Sequence, residues 1–365
     1  MDPAGPTARR FPLVARARPA CTPLPQRVAD LCARARTAER DNDMASAAAV
    51  HNLAALLASD CGLPELARHW CHRQADVYLR AHPLDALTAC YALEPLINLA
   101  RPHTRAGEGD RAYELVQNLF TAVSSRNDST IDGIEIPAAH LTLTTEAHHQ
   151  VCKWLWATLL ATGARALAAA GRWEEARARL HEHHGIGQRM LDGRQVAVLA
   201  RATAGDTDDA LTLCRTTQPG DPWENTVTAC LTLLCRKDTS TSRSLIDLYQ
   251  SLDTSARGLA VFHVRLGLSA IDALGGVEHR AALSLAAQVI QQAREARDGY
   301  AARDVLHHDG RTFLLRASER RELTETVASC SLGQGYIPGN LRGDLERALG
   351  GSTAVLRRTL AAKPS

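Results

Sequence analysis

Apolar helical stretches alternate with short polar turns along most of the chain. Each turn has a glycine, four mostly polar residues and an alanine, with an apolar stretch on both sides. The copies are Gly62-LPEL-Ala67, Gly107-EGDR-Ala112, Gly171-RWEE-Ala176, Gly205-DTDD-Ala210 and Gly276-VEHR-Ala281. Glycine tolerates the positive φ that ends a helix, and acidic residues such as Asp206 and Asp208 suit the start of the next one. The pattern predicts five helical hairpins and an all-α fold.

The segments around these turns read as the two helices of each hairpin. The first helices include Ala48–Ser59, Trp154–Ala170 and Gln195–Ala204, and the second helices include Glu65–Arg80 and Glu174–His184. Thr226–Arg236 and Arg243–Leu252 could form a further hairpin without the glycine signal. We therefore expect a stack of hairpins over much of the chain.

The spacing of the turns resembles that of the tetratricopeptide (TPR) family. Gly171 and Gly205 are 34 residues apart, which is the TPR period, although the other intervals are 45, 64 and 71 residues. Residues 204–211 resemble the turn and second-helix start of that family, Asp221-Pro222 its boundary, and residues 170–176 the same turn with an aromatic Trp173. The resemblance covers roughly residues 150–225 closely. It implies a right-handed α-α superhelix.

Breaks in the pattern divide the chain into five predicted regions. Prolines interrupt residues 1–25, so we expect this basic segment to lack structure. TPR-like hairpins are predicted for 26–123 and 148–315. The insertion at 124–147 contains alternating residues 131–136, which predict a small β-hairpin or a structured loop. Residues 316–365 are predicted to be capping helices, over Leu341–Leu349 and Thr353–Ala361.

Charge and hydropathy exclude several classes of protein. Forty-two basic and 40 acidic residues give a net charge of +2, which makes nucleic acid an unlikely partner, and no basic recognition helix is apparent. No window of about 18 apolar residues predicts a membrane span, and Phe11–Ala15 is too short for a signal peptide. We expect a cytoplasmic protein. Its alanine and arginine bias is similar to that of actinobacterial helical-repeat proteins, some of which accompany regulators or enzymes of peptide natural products.

Candidate chemistry is sparse. The ten cysteines include no C-x-x-C pair and predict reduced core thiols, and no cofactor or metal is expected. His148 lies four residues before Cys152, beside His149, and His181, His183 and His184 cluster near a helix end. Asp-Gly recurs at 132, 192, 298 and 309, typical of turns, although two copies could orient Arg194 and Arg311 towards a ligand. No nucleophile elbow or phosphate-binding loop is present.

The TPR resemblance implies a concave groove lined by the first helix of each hairpin. Aligning the marked glycines with the family's turn places seven polar residues at or beside groove positions: Asn52, Asn98, Arg101, Arg165, Arg194, Gln195 and Arg265. Asparagine can hydrogen-bond a peptide backbone as donor and acceptor, and arginine can hold a carboxylate or phosphate. The alternative is that each is a solvated or inter-helix polar residue. Together they favour an extended peptide or an acidic group as the ligand.

The sequence thus favours a non-catalytic scaffold that binds a peptide or protein partner, such as a precursor peptide or enzyme of a peptide natural-product pathway. The alternative is an enzyme on the same scaffold, with arginines binding an anionic or peptide substrate and His148, His149 or the His181–His184 cluster as acid and base. That enzyme would need His and Arg to converge in a closed pocket. A purely structural oligomer is a third possibility, and the oligomeric state stays open.

Overall fold

The computed structural model describes residues 1–236, 242–276 and 279–362, apart from the side chains of residues 312 and 313. Contacts divide the chain into two units. Unit 1 consists of Met1–Pro23 and Leu167–Cys330, and unit 2 consists of Leu24–Ala166 and Ser331–Ser365. Helices dominate both units, as the sequence predicts.

The first half of the chain carries nine helices within the described residues: α1 Pro6–Arg9, α2 Leu24–Asp41, α3 Met44–Asp60, α4 Pro64–Leu79, α5 Ala86–Asn98, α6 Ala100–Ala106, α7 Gly109–Ser125, α8 Thr145–Thr158 and α9 Ala164–Ala169. A π-helical turn, Leu159–Gly163, joins α8 to α9. The described later part carries α10 Trp173–Glu182, α11 Asp192–Ala204, α12 Thr207–Arg215, α13 Pro222–Arg236, α14 Ser242–Gln250, α15 Ala260–Ala273, α16 Arg280–Ala296, α17 Gly299–Leu306, α18 Arg311–Leu314, α19 Ala317–Ser329 and α20 Gly339–Ala361.

Polar caps and glycine turns set the helix ends. Asp43, Asp85 and Thr144 each accept a hydrogen bond from a backbone N–H in the first turn of α3, α5 and α8. At the five marked turns the glycine has the positive φ that the sequence predicts, for example +93° at Gly205. For the copy that starts at Gly276, residues 277 and 278 lie outside the described part of the chain.

Unit 2 packs α3 between α2 and α4, with α5 on α4 and α8 on α5. Its core includes fully buried Trp70, Tyr78, Leu57 and Leu93. Burying an aromatic or leucine side chain contributes about 1.5–3 kcal/mol, so these residues hold the helices together. In unit 1, α11 packs on α10 and α12, α13 on α14, α15 on α16, and α17 on α19.

The insertion forms a β-hairpin. Strand β1 (Ser129–Ile131) pairs antiparallel with β2 (Ile134–Ile136) around Asp132 and Gly133, which both have positive φ. Such a turn matches the twist of the paired strands. The Asp132 carboxylate accepts hydrogen bonds from Arg68 Nε at 2.8 Å and His72 Nε2 at 2.7 Å, which fastens the hairpin to α4.

The chain termini differ from the prediction. Residues 1–25 were expected to lack structure, but the first 23 residues, here called the arm, form the short helix α1 and an extended stretch, and bury Ala8, Phe11, Leu13 and Cys21. Prolines prevent a long helix there without preventing burial of the apolar side chains between them. The two predicted C-terminal helices are the single helix α20, which packs on α2 and α3 of unit 2, whereas α19 belongs to unit 1.

Within the described residues, no helix combines the length and the apolar character needed to cross a membrane.

Candidate functional site

The arm lies along α11, α15 and α17 of unit 1. We call the surface that holds it the arm groove, defined by Gln195 on α11, Asp272 on α15, and Asp298 with Gly299 at the start of α17. Two of these helices, α11 and α15, each come directly before one of the marked glycine turns.

The Gln195 side chain hydrogen-bonds both the backbone N–H and the backbone C=O of one arm residue. Its Oε1 accepts a hydrogen bond from Leu13 N at 2.6 Å, and its Nε2 donates to Leu13 O at 2.7 Å. A second bond from Nε2 to Met190 O, at 3.0 Å, fixes the amide. The Gln195 side chain is fully buried. A primary amide can both donate and accept, so it satisfies both backbone groups of one residue whatever the side chain of that residue is.

Asp272 anchors the arm by charge. Its Oδ2 accepts hydrogen bonds from Thr7 Oγ1 and Arg10 Nη1, both at 2.5 Å, and its Oδ1 lies 3.0 Å from His308 Nε2. The Gly310 N–H donates to His308 Nδ1, so His308 presents its Nε2 proton to Asp272. Burial opposes ionisation of Asp272, but the hydrogen bond from His308, the charge of Arg10 and the bond from Thr7 outweigh it and lower its pKa to about 2.

The far end of the arm is held by the start of α17. Asp298 Oδ1 caps that helix by accepting from the N–H groups of Tyr300 and Ala301, and its Oδ2 accepts from Cys21 N at 2.9 Å. Gly299 N donates to Cys21 O at 2.8 Å. A Cβ atom on Gly299 would lie 2.8 Å from Cys330 Sγ, so the close approach of chain segments here requires glycine. A second arm residue is thus bound through both of its backbone groups.

Side chains of the arm separate into buried and exposed sets. Phe11 and Leu13 are each 3% exposed, and Pro12 between them is also buried. Arg9, Arg16 and Arg18 face solvent. The arm groove therefore combines pockets for apolar side chains with polar groups that satisfy the backbone.

In unit 2, the structure brings together three of the predicted groove residues. Asn98 Nδ2 donates to Asn52 Oδ1 at 3.2 Å, and Arg101 Nη2 donates to Asn98 Oδ1 at 3.2 Å. Asn52 also hydrogen-bonds the Glu94 carboxyl group. Burial raises the pKa of Glu94, and the Asn52 bond and the Arg101 charge offset only part of that rise. We call these four half-buried residues the Asn52 cluster.

Two of the predicted groove residues contact other elements of unit 1. Arg194 is buried, and its guanidinium donates to Gly187 O, Leu213 O and the hydroxyl groups of Thr216 and Thr217, so it closes the C-terminal end of α12. Arg265 on α15 pairs with Asp304 on α17, with Nε and Oδ2 2.6 Å apart. Arg165 lies half-buried in α9, on unit 2.

Asp272, His308 and Asp298 were missed by the sequence reasoning. A single carboxylate in the apolar run Ser269–Leu274 is a signal for Asp272, because an unpaired charge is costly in such a helix face. The sequence indicates Asp298 only as part of an Asp-Gly turn. No sequence pattern indicates a role for His308.

His148 and Cys152 do not form an activated pair. His148 Nε2 lies 3.5 Å from Cys152 Sγ, but burial lowers the pKa of His148 and raises the pKa of the Cys152 thiol. Both groups are therefore held neutral, unlike a thiolate-imidazolium pair. His181 and His184 are exposed at the end of α10. Over the described residues, no three His, Cys, Asp or Glu side chains are placed to hold a metal ion.

Comparisons with models of protein families, with curated proteins and with solved structures found no match to this chain. The structure itself defines an all-α protein built of helical hairpins, with an extended stretch of its own chain bound along unit 1.

Proposed function

We propose that this protein is a non-catalytic scaffold that binds an extended peptide segment of a partner along the first helices of TPR-like hairpins. The observation that carries the proposal is the pair of hydrogen bonds between the Gln195 amide and the backbone of Leu13. A groove that satisfies the backbone of one extended segment has the chemistry to satisfy another. A right-handed superhelix would place the first helices on its concave side.

Affinity and selectivity would come from different parts of such a surface. Hydrogen bonds to the peptide backbone tolerate many sequences, whereas pockets for alternate side chains select among them. In unit 1 the backbone contacts come from Gln195, Asp298 and Gly299, and the pockets hold Phe11 and Leu13. In unit 2 the Asn52 cluster offers amide donors and acceptors beside a guanidinium.

The partner that suits this chemistry is a protein segment without structure of its own. A precursor peptide, or the tail of a biosynthetic enzyme in a peptide natural-product pathway, has that character, and binding would take place in the cytoplasm. The arginine of the Asn52 cluster adds a preference for a carboxylate in the ligand.

Selection from a displayed library of random peptides tests the proposed function. We expect enriched peptides to bind the purified protein, and Asn98→Ala to weaken binding of those held by unit 2 by about tenfold, with a change in unfolding free energy of about 1 kcal/mol or less. Asn340→Ala, an exposed asparagine of α20, is the matched control and should bind as the wild type does. Failure to enrich any peptide, or affinities that Asn98→Ala leaves unchanged, would contradict the proposal.

A further inference from the structure

We propose that the arm is a displaceable internal ligand that closes the arm groove, and that the partner of this groove is a peptide with a similar residue order: a basic residue, an aromatic residue, proline and an aliphatic residue. In the arm this order is Arg10, Phe11, Pro12 and Leu13. The inference rests on the proposed function. It specifies the ligand of the groove and names the arm as the segment that regulates ligand binding.

The contacts of the groove with the arm backbone do not depend on the arm's own sequence. Gln195 meets the N–H and C=O of Leu13, while Asp298 and Gly299 meet those of Cys21. Another peptide that adopts the same backbone conformation presents these groups. Exchange of the arm for another peptide therefore preserves the hydrogen bonds that hold it.

Selectivity follows from the side chains that the groove buries. Phe11 and Leu13 point into unit 1 and are almost fully buried, and Arg10 is paired with Asp272. Arg9, by contrast, is exposed, so the groove does not select the residue at its position. The ligand is thus recognised by one cation followed closely by two apolar groups.

An empty groove is unfavourable. Replacement of the arm by another peptide is therefore favoured over release of the arm alone. Without the arm, the buried Gln195 amide loses both bonds to Leu13, and Asp272 loses Thr7 and Arg10 while keeping His308. Unpartnered buried polar groups destabilise a structure, so the groove binds either the arm or a substitute for it.

Attachment to the chain gives the arm an advantage over a free peptide. A tethered ligand competes at an effective concentration on the order of millimolar, so a free peptide at micromolar concentration is mostly excluded. A substitution that weakens the arm removes part of this advantage and raises the apparent affinity for the free peptide.

The test uses the full chain and a fluorescently labelled synthetic peptide covering residues 1–23. We expect the double variant Phe11→Ala/Leu13→Ala to bind this probe at least about tenfold more tightly than the wild type does. Arg9→Ala changes an exposed residue of the same arm and should behave as the wild type.

Adding Gln195→Leu to the double variant should abolish the gain in affinity for the probe. A scrambled peptide of the same composition should not bind. Should the double variant fail to fold, Arg10→Ala weakens the arm through Asp272 alone and serves in its place.

Hydrogen exchange of residues 1–23 in each variant separates the possible failures. If exchange shows the arm released but the probe does not bind, an open groove does not take peptides in unit 1, and the proposed function fails there. If the wild type binds the probe as tightly as the released variant, peptide binding stands but the arm does not control it. If the arm keeps its protection in every weakened variant, it is a fixed part of the fold and the inference is wrong. Light scattering could instead show that the wild type forms dimers in which the arms are exchanged between copies. The ligand of the groove would then be a second copy of this chain and not an external partner.

Discussion

Asp272 shows how a single side chain can connect the arm to the helices of unit 1. It lies in an otherwise apolar stretch of α15, and its charge is accepted there because Arg10, Thr7 and His308 all direct polar hydrogens at it. A buried carboxylate with such partners is ionised well below its usual range. The attachment of the arm should therefore depend on pH.

We expect acid to weaken the native state through Asp272. Its pKa is lowered to about 2 in the folded protein, so the stability it contributes is fully present above about pH 4 and is lost as the pH falls from about 4 to about 2. The contribution is about 2 kcal/mol. Urea unfolding at a series of pH values measures it.

Asp272→Asn is the control, since the amide cannot ionise. The wild-type advantage over this variant should shrink between pH 4 and pH 2, and the hydrogen-exchange protection factors of residues 7–13 should fall over the same range. A difference between the two proteins that stays constant with pH would show that Asp272 is not the group responsible.

Some residues of the site can be predicted from the sequence and others cannot, for a physical reason. Alignment on the turn glycines placed both Arg194 and Gln195 near the groove, but neighbouring residues point about 100° apart around a helix. Gln195 consequently faces the arm, while Arg194 faces the end of α12. Asp272 depends on partners from the arm and from beyond α17, so no local pattern could assign it.

Among the elements, the turn after α11 is where backbone geometry most constrains the residue type. Gly205 has a φ of +93°, and no neighbour lies within 4 Å of a Cβ built on it. Any cost of a larger residue therefore comes from the backbone and not from a collision.

Gly205→Val should destabilise the protein by about 1–3 kcal/mol, because a β-branched residue resists positive φ. Thermal and chemical unfolding report the change. Gly187→Val is the matched control in unit 1, with equally open surroundings and no positive φ, and it should cost much less. Equal losses for the two variants would count against the role of the turn.

Two other elements show the difference between structure that the local sequence pattern predicts and structure that depends on packing against another helix. The alternation of residues 131–136 and the Asp132-Gly133 turn predict a β-hairpin, and the hairpin forms there. The two predicted helices Leu341–Leu349 and Thr353–Ala361 leave Gly350 and Gly351 between them, yet α20 continues through both glycines. Glu39 of α2 approaches Gly351 so closely that a Cβ would collide with its carboxylate, so packing against α2 explains that glycine better than a helix end does.

At the scale of the whole molecule, each unit is completed by a segment from a distant part of the sequence. The arm packs in unit 1, and α20 packs on α2 and α3 in unit 2. Hydrophobic periodicity is a local property, so it predicted the hairpins but not these two pairings.

A substitution in the arm should therefore act on unit 1. We expect Phe11→Ala to increase hydrogen exchange in α11, α15 and α17, which contact the arm, and to leave exchange in α3 and α4 unchanged. Leu283→Ala, an exposed leucine of α16, should alter neither set. A uniform increase over both units would mean that the arm stabilises the molecule as a whole.

The distance along the chain between the arm and its groove has a consequence during protein synthesis. Leu13 precedes Gln195 by 182 residues, and the hydrogen bond from Cys21 to Asp298 spans 277 residues. A ribosome adds about 5–20 residues per second, so the arm emerges roughly 15–55 s before the start of α17 exists. Until α11 and α15 are synthesised, Phe11 and Leu13 are exposed on the nascent chain and available to chaperones, and the groove first forms in the presence of both the arm and any partner already in the cell.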